Sequence, residues 1–114
     1  MKEIISRLNK QFESRIRLGI MSVLMVNESV DFNSLKELLD ATDGNLASHL
    51  TALEKNNLLV VQKKFIGRKP NTRYQITDIG RLAFREHLEY LEKLMRNQKV
   101  IQQEPVKKIR DQGD

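Results

Sequence analysis

Residues 44–77 read GNLASHLTALEKNN followed by LLVVQKKFIGRKPNTRYQIT, and the rest of the chain is arranged around them. The first fourteen residues carry a helical pattern at about 100° per residue. Leu46, Leu50 and Leu53 fall at i, i+4 and i+7 and make one apolar stripe. Opposite lie Gly44, Asn45, Ser48, Thr51, Ala52 and Lys55, a face with little bulk and no acid. Such a face can enter a major groove, where amides and hydroxyls meet base edges and phosphates. The alternative is an ordinary solvated face, but those carry Glu and Lys more often than Asn, Ser, Thr and Gly.

The second part is two β-favouring runs, 59–65 and 72–76, joined by 66–71, where Gly67 supplies backbone freedom and Pro70 stiffness. Between 62 and 75 stand Lys63, Lys64, Arg68, Lys69 and Arg73, with no acid. The chain holds 20 Lys+Arg against 15 Asp+Glu, net +5, so removing these five leaves 15 of each sign. The excess charge sits in one hairpin. Concentrated positive charge on a projecting loop suits phosphate binding, a merely solvated basic loop being the alternative.

Gly44-Asn45-Leu46, His49-Leu50 and Leu53-Glu54, continued by Lys64, Phe65, Gly67-Arg68-Lys69-Pro70, Thr72, Tyr74, Thr77 and Gly80-Arg81, resemble MarR/ArsR-like winged helix-turn-helix transcriptional regulators. The likeness is to the small stand-alone subgroup whose hairpin reads K-F-x-G-R-x-P-x-T, and it covers about residues 12–97. Each short motif is weak alone; their order and spacing are more specific. The resemblance implies a homodimer on duplex DNA, with the helix at about 43–56 in the major groove and the hairpin, or wing, at about 59–76 on the backbone or in the minor groove.

Composition sets the outer bounds. A chain of 114 residues with 39% hydrophobic content fits one small domain that also uses a dimer interface. A mean hydropathy of -0.50 and the lack of any apolar run near the ~18 residues of a membrane span argue for a cytoplasmic protein without membrane contact. The opening MKEIISRLNKQF lacks the apolar core of a signal peptide. With no cysteine, disulfides, thiol redox sensing and cysteine metal sites are excluded.

The flanks supply the scaffold. Ile5, Leu8, Phe12 and Ile16 predict helix over 3–26, in one piece or two, with Ile16, Ile20, Val23 and Leu24 toward the core. The first ten residues need a cover, either a second subunit or the chain's own last helix. After a loop at 27–30, Val30-Asp31-Phe32 is a candidate for the short strand that the family pairs with the wing. Asp31 or Asn33 caps a helix over 34–39, with Leu35, Leu38 and Leu39 inward. A connection at 40–43 precedes the next helix, capped by Thr42 or Asp43, which completes a helix-turn-helix. Asn56-Asn57 ends that helix, since Asn tolerates a left-handed conformation. Tyr74 and Ile76 share an inward strand face. Thr77 or Asp78 caps a last helix over 78–97, with Ile79, Leu82 and Ala83 toward the domain. Phe84, Leu88, Leu91 and Met95 make a heptad-like seam, read as the main dimer interface with Ile5, Leu8 and Phe12 packed on it. The alternative is a long helix folded back on its own domain. Residues 99–114, with Pro105, Gly113 and mixed charge, read as a disordered tail after a domain spanning 1–98.

No catalytic constellation is visible. His49 and His87 lie far apart without paired carboxylates, so neither a metal site nor a catalytic base is expected, and no cofactor motif is present. His49 borders the apolar stripe and either meets a phosphate or packs at the core edge. Gly67-Arg68-Lys69 lacks the remainder of a P-loop. The expectation is therefore a mainly α protein with a small β-hairpin (α+β), a winged helix-turn-helix regulator and not an enzyme. It binds double-stranded DNA, as a homodimer on an inverted repeat. Asn45, Ser48 and Thr51 are its groove candidates; Lys55, Lys64, Arg68, Lys69 and Arg73 are its phosphate or minor-groove candidates, with His49 beside them. A small-molecule effector is a further open partner. A winged-helix module that binds only proteins is the competing reading, against which the acid-free wing speaks.

Overall fold

A computed structural model describes residues 1–96; the tail expected at 99–114 lies outside the described residues. The N-terminal helical stretch is broken twice. Helix α1 covers Lys2–Arg7, a 3₁₀ turn covers Lys10–Phe12, and α2 covers Arg15–Met25. The breaks have local causes: the Asn9 side chain accepts from the Gln11 N–H at 2.8 Å, and Ser14 Oγ accepts from the Arg17 N–H at 3.3 Å. Each polar side chain satisfies an otherwise orphaned amide at a helix start.

Strand β1 (Val30–Asp31) leads into α3 (Phe32–Leu39), where the Asp31 carboxylate accepts from the Ser34 N–H at 2.7 Å. Those bonds to Ser34 hold the carboxyl below the usual aspartate range. Asp40 closes α3 in the left-handed region at φ 50°. Helix α4 (Asp43–Lys55) starts at Thr42, whose Oγ1 accepts from the Asn45 N–H, and Asn57 leaves it at φ 62°.

Strands β2 (Leu59–Ile66) and β3 (Lys69–Ile76) form the wing, in a sheet of order β1-β3-β2. Val30 pairs with Tyr74, and Leu59 through Ile66 pair antiparallel with Ile76 through Lys69. The connection is shorter than the 66–71 loop expected from sequence: only Gly67 and Arg68 form the turn, with Gly67 at φ 65°. Pro70 stands inside β3. It tolerates that position because β1 pairs only at Tyr74 and Arg73, leaving the upper part of β3 with one open edge.

Helix α5 (Asp78–Arg96) begins where Thr77 Oγ1 accepts from the Gly80 N–H at 2.8 Å. Its first turn passes so close to the end of α4 that a Cβ at Gly80 would meet the Leu58 carbonyl oxygen. The core holds Ile20, Met21 and Leu24 of α2, Leu35, Leu46, Leu50, Leu53, Leu58, Leu59, Tyr74 and Ile76.

Several expected apolar roles change. Phe12 and Phe84, read as dimer-seam residues, are buried inside the single protomer, with ring centroids 5.2 Å apart and planes at 89°. This edge-to-face pair ties the 3₁₀ turn to α5. Leu38, Ile79 and Leu82, expected inward, are exposed. On α5 the inward positions are instead Gly80, Phe84 and His87, one helical step away from Ile79. His87 Nδ1 accepts from the Asn9 N–H at 3.1 Å, closing the same corner, and burial lowers its pKa against the opposing pull of Glu13.

Candidate nucleic-acid interface

The buried stripe Leu46, Leu50 and Leu53 fixes which side of α4 faces outward. Asn45, Ser48, Thr51 and Lys55 are all exposed, so the geometry leaves them on one accessible helix face. Thr42 adds the helix start, where unpaired amides and the helix dipole favour a phosphate. Lys36 reaches Asp43 at 2.9 Å and offsets the acid in the first turn of α4.

His49 is half-buried at the edge of this face. Its Nδ1 accepts from Arg17 Nε at 2.9 Å, and Arg17 Nη1 donates to Gln11 Oε1 at 2.8 Å. Burial, then the Arg17 charge, lower the His49 pKa. Because Nδ1 accepts, the ring proton of the neutral form resides on Nε2. Sequence reading missed Arg17; a cation inside the run Ile16–Ile20 was the available signal that a buried partner was needed. Arg81, noted only within the Gly80-Arg81 motif, ties α5 to α2: its Nη1 donates to the Met25 carbonyl at 3.2 Å, at the end of α2.

On the wing, Lys63, Lys64, Arg68 and Lys69 line the strands and the turn, and all four are exposed. Arg73 is different. Its Nε donates to Ser29 Oγ at 2.8 Å, its Nη2 to the Ser29 carbonyl at 3.0 Å, and Nη1 lies 4.0 Å from the Asp31 carboxylate. These bonds fasten β3 to the approach of β1, so Arg73 holds the wing's base and is withdrawn from the exposed cationic set.

A family model for the winged helix DNA-binding domain matches residues 16–95, the stretch that contains this helix face and the cationic hairpin. The chain belongs to this winged helix DNA-binding domain family. An uncharacterized protein of Methanocaldococcus jannaschii is 38% identical over 88 residues, 77% of this chain and 96% of that protein. Among solved structures, a transcriptional regulator homologue from Pyrococcus horikoshii OT3 is 34% identical with a TM-score of 0.74, covering 83% of this chain and 92% of that one. A MarR-family regulator of Enterococcus faecalis V583 shares the fold at 23% identity and TM-score 0.60, covering 83% and 81%. So does the repressor CouR, solved on a 23-mer DNA duplex, at 16% identity and TM-score 0.65, covering 84% and 70%. The resemblance to winged-helix regulators drawn from the wing and helix motifs therefore holds, and the family is one of DNA-binding domains, not enzymes. Among the described residues no helix is long and apolar enough to cross a membrane.

Proposed function

We propose that this winged helix domain is a cytoplasmic, sequence-specific transcriptional regulator acting as a homodimer on an inverted repeat. Helix α4 lies in the major groove and reads bases through Asn45, Ser48 and Thr51. Lys55, Lys64, Arg68 and Lys69 hold phosphates or a narrow minor groove. His49 donates from Nε2 to a phosphate. The observation that carries the reading is the pairing of an acid-free exposed face on α4 with the exposed cations of the wing. The dimer reading rests on Leu88, Leu91 and Met95 of α5 and Ile5 of α1, all exposed apolar side chains on two helices that lie together. A cleft of about 300 Å³ lined by Glu3, Ile4, Arg7, Tyr90 and Lys93 is a place for a small-molecule effector.

Selection of bound duplexes from a random pool, followed by footprinting, tests the proposal. The expected result is an inverted repeat with half-site centres about 10 bp apart, one helical turn. A single asymmetric half-site would contradict the symmetric dimer. Recovery of no duplex would contradict DNA binding altogether.

A further inference from the structure

The wing carries two large apolar side chains that the described residues leave exposed. Phe65 is 74% exposed and Ile66 63% exposed, at the last two positions of β2 before the turn. Lower on the same strand the pattern is that of a half-buried sheet: Leu59 is buried and Val61 half-buried, opposite Ile76 and Tyr74. By strand alternation Phe65, opposite Pro70, lies on that face beyond the exposed Lys63, while Ile66, opposite Lys69, stands on the other face.

Charge selects the occupant. Lys63, Lys64, Arg68 and Lys69 flank these two residues along the hairpin, and residues 62–75 contain no acid. Two such tips repel one another, which disfavours a second wing as the cover. An apolar tip ringed by cations instead complements a minor groove, whose rims are phosphates and whose floor is stacked bases. The reach agrees. Ile66 is five residues beyond Val61, about 17 Å at ~3.3 Å per residue. Half a turn of duplex is also about 17 Å, the offset from a major groove holding α4 to the minor groove beside it.

We infer that the wing tip is an apolar wedge: Phe65 inserts between base pairs of the flanking minor groove, Ile66 packs on the groove wall, and the duplex kinks there. This rests on the DNA-binding reading above. Lys64, Arg68 and Lys69 hold the phosphates on either side of the opened step. Unstacking is easiest at pyrimidine–purine steps, so bound sites should favour TA or CA/TG about 5 bp from each half-site centre.

The test uses the full chain and a duplex recovered by the wild-type protein from a random pool, with donor and acceptor dyes on its ends. Wild type should bend it, within the range of about 20–90° found for intercalating side chains. The double variant Phe65→Ala/Ile66→Ala should bind with the same salt slope, because every phosphate partner is kept, but leave the duplex nearly straight. Phe65→Leu, which keeps an apolar side chain, should retain the bend. Both positions are exposed, and unchanged thermal unfolding would show that the variants fold. A straight complex with wild type, or equal bending by the double variant, overturns the wedge and leaves DNA binding standing. Loss of self-association in the double variant, measured by sedimentation without DNA, would assign the patch to an interface between copies and also overturn it. Failure of the wild type to recover any duplex would remove the DNA-binding reading, and the wedge with it.

Discussion

Arg17 Nε donates to His49 Nδ1 at 2.9 Å, so a cation on α2 fixes the tautomer of a histidine on helix α4. His49 stays neutral because of burial first and the Arg17 charge second, and its Nε2–H is the group left to meet a phosphate. Replacing Arg17 by Met should move the His49 pKa up toward the ordinary ~6.5. Imidazole titration by NMR should show that rise, together with loss of the fixed tautomer. DNA binding by the variant should then begin to strengthen at a higher pH than in wild type as the solution is acidified, with burial still holding the pKa below the ordinary value. An unchanged His49 titration would break the proposed link.

The buried His87 makes a second acid-sensitive point. Its folded pKa is lowered, mainly by burial, so near and below the ordinary value of about 6.5 the unfolded chain binds the extra proton more readily. The His87 contribution to stability is therefore full above that value and is lost as pH falls through it toward the lowered folded pKa. His49 adds in the same direction. Thermal midpoints should be flat above about pH 7 and decline in mild acid. Replacing His87 by Gln, which keeps an acceptor for the Asn9 amide without titrating, should remove part of that decline.

Phe84 and Leu88, one turn apart on α5, should behave differently although both belong to one heptad-like run. Phe84→Ala opens the protomer core and should cost about 3–5 kcal/mol in urea unfolding. Leu88→Asp with Leu91→Asp alters side chains that are 45% and 36% exposed in the protomer. That pair should convert a dimer to a folded monomer in sedimentation, with the circular dichroism preserved. A wild-type monomer at micromolar concentration would remove this interface.

The wing cations divide by their partners. Arg68→Ala with Lys69→Ala should lower affinity for specific and random duplex alike and flatten the log–log salt slope by roughly 1 for each phosphate no longer neutralised. Asn45→Ala or Ser48→Ala should leave that slope unchanged and cost about 1–3 kcal/mol on the preferred site for each base edge no longer read. Arg73→Ala breaks the bonds to Ser29 and should lower stability by about 1–3 kcal/mol, with little direct change in salt slope. A large slope change for Arg73→Ala would return it to the phosphate set.

Gly80→Ala should be among the most damaging small substitutions. The added methyl meets the Leu58 carbonyl, which is backbone and also accepts from the Thr77 N–H at 3.2 Å. A clash with backbone cannot be relieved by a rotamer change, and stability should fall by about 1–3 kcal/mol or more. Unfolding in urea measures it.

The local elements are legible in the residue order alone. The stripe Leu46, Leu50 and Leu53, the alternation of Tyr74 with Ile76, and the caps at Asp31, Thr42 and Thr77 depend on neighbours within a few residues, so periodicity and side-chain chemistry disclose them. Which apolar surface covers which is settled by packing. Phe12 and Phe84 obey helical spacing equally well against a partner or against each other; the turn at Lys10–Phe12 brings them together inside one protomer. Leu38, Ile79 and Leu82 look inward by composition and lie outward because Leu35, Gly80 and Phe84 take the buried sides of their helices. Arg73 is indistinguishable in sequence from the wing's other cations, yet Ser29, 44 residues away, withdraws it. His49 likewise takes its state from Arg17, 32 residues away. Helical and strand periods encode the direction of a side chain from its own axis. Its partner across a long chain separation is fixed only when the elements pack.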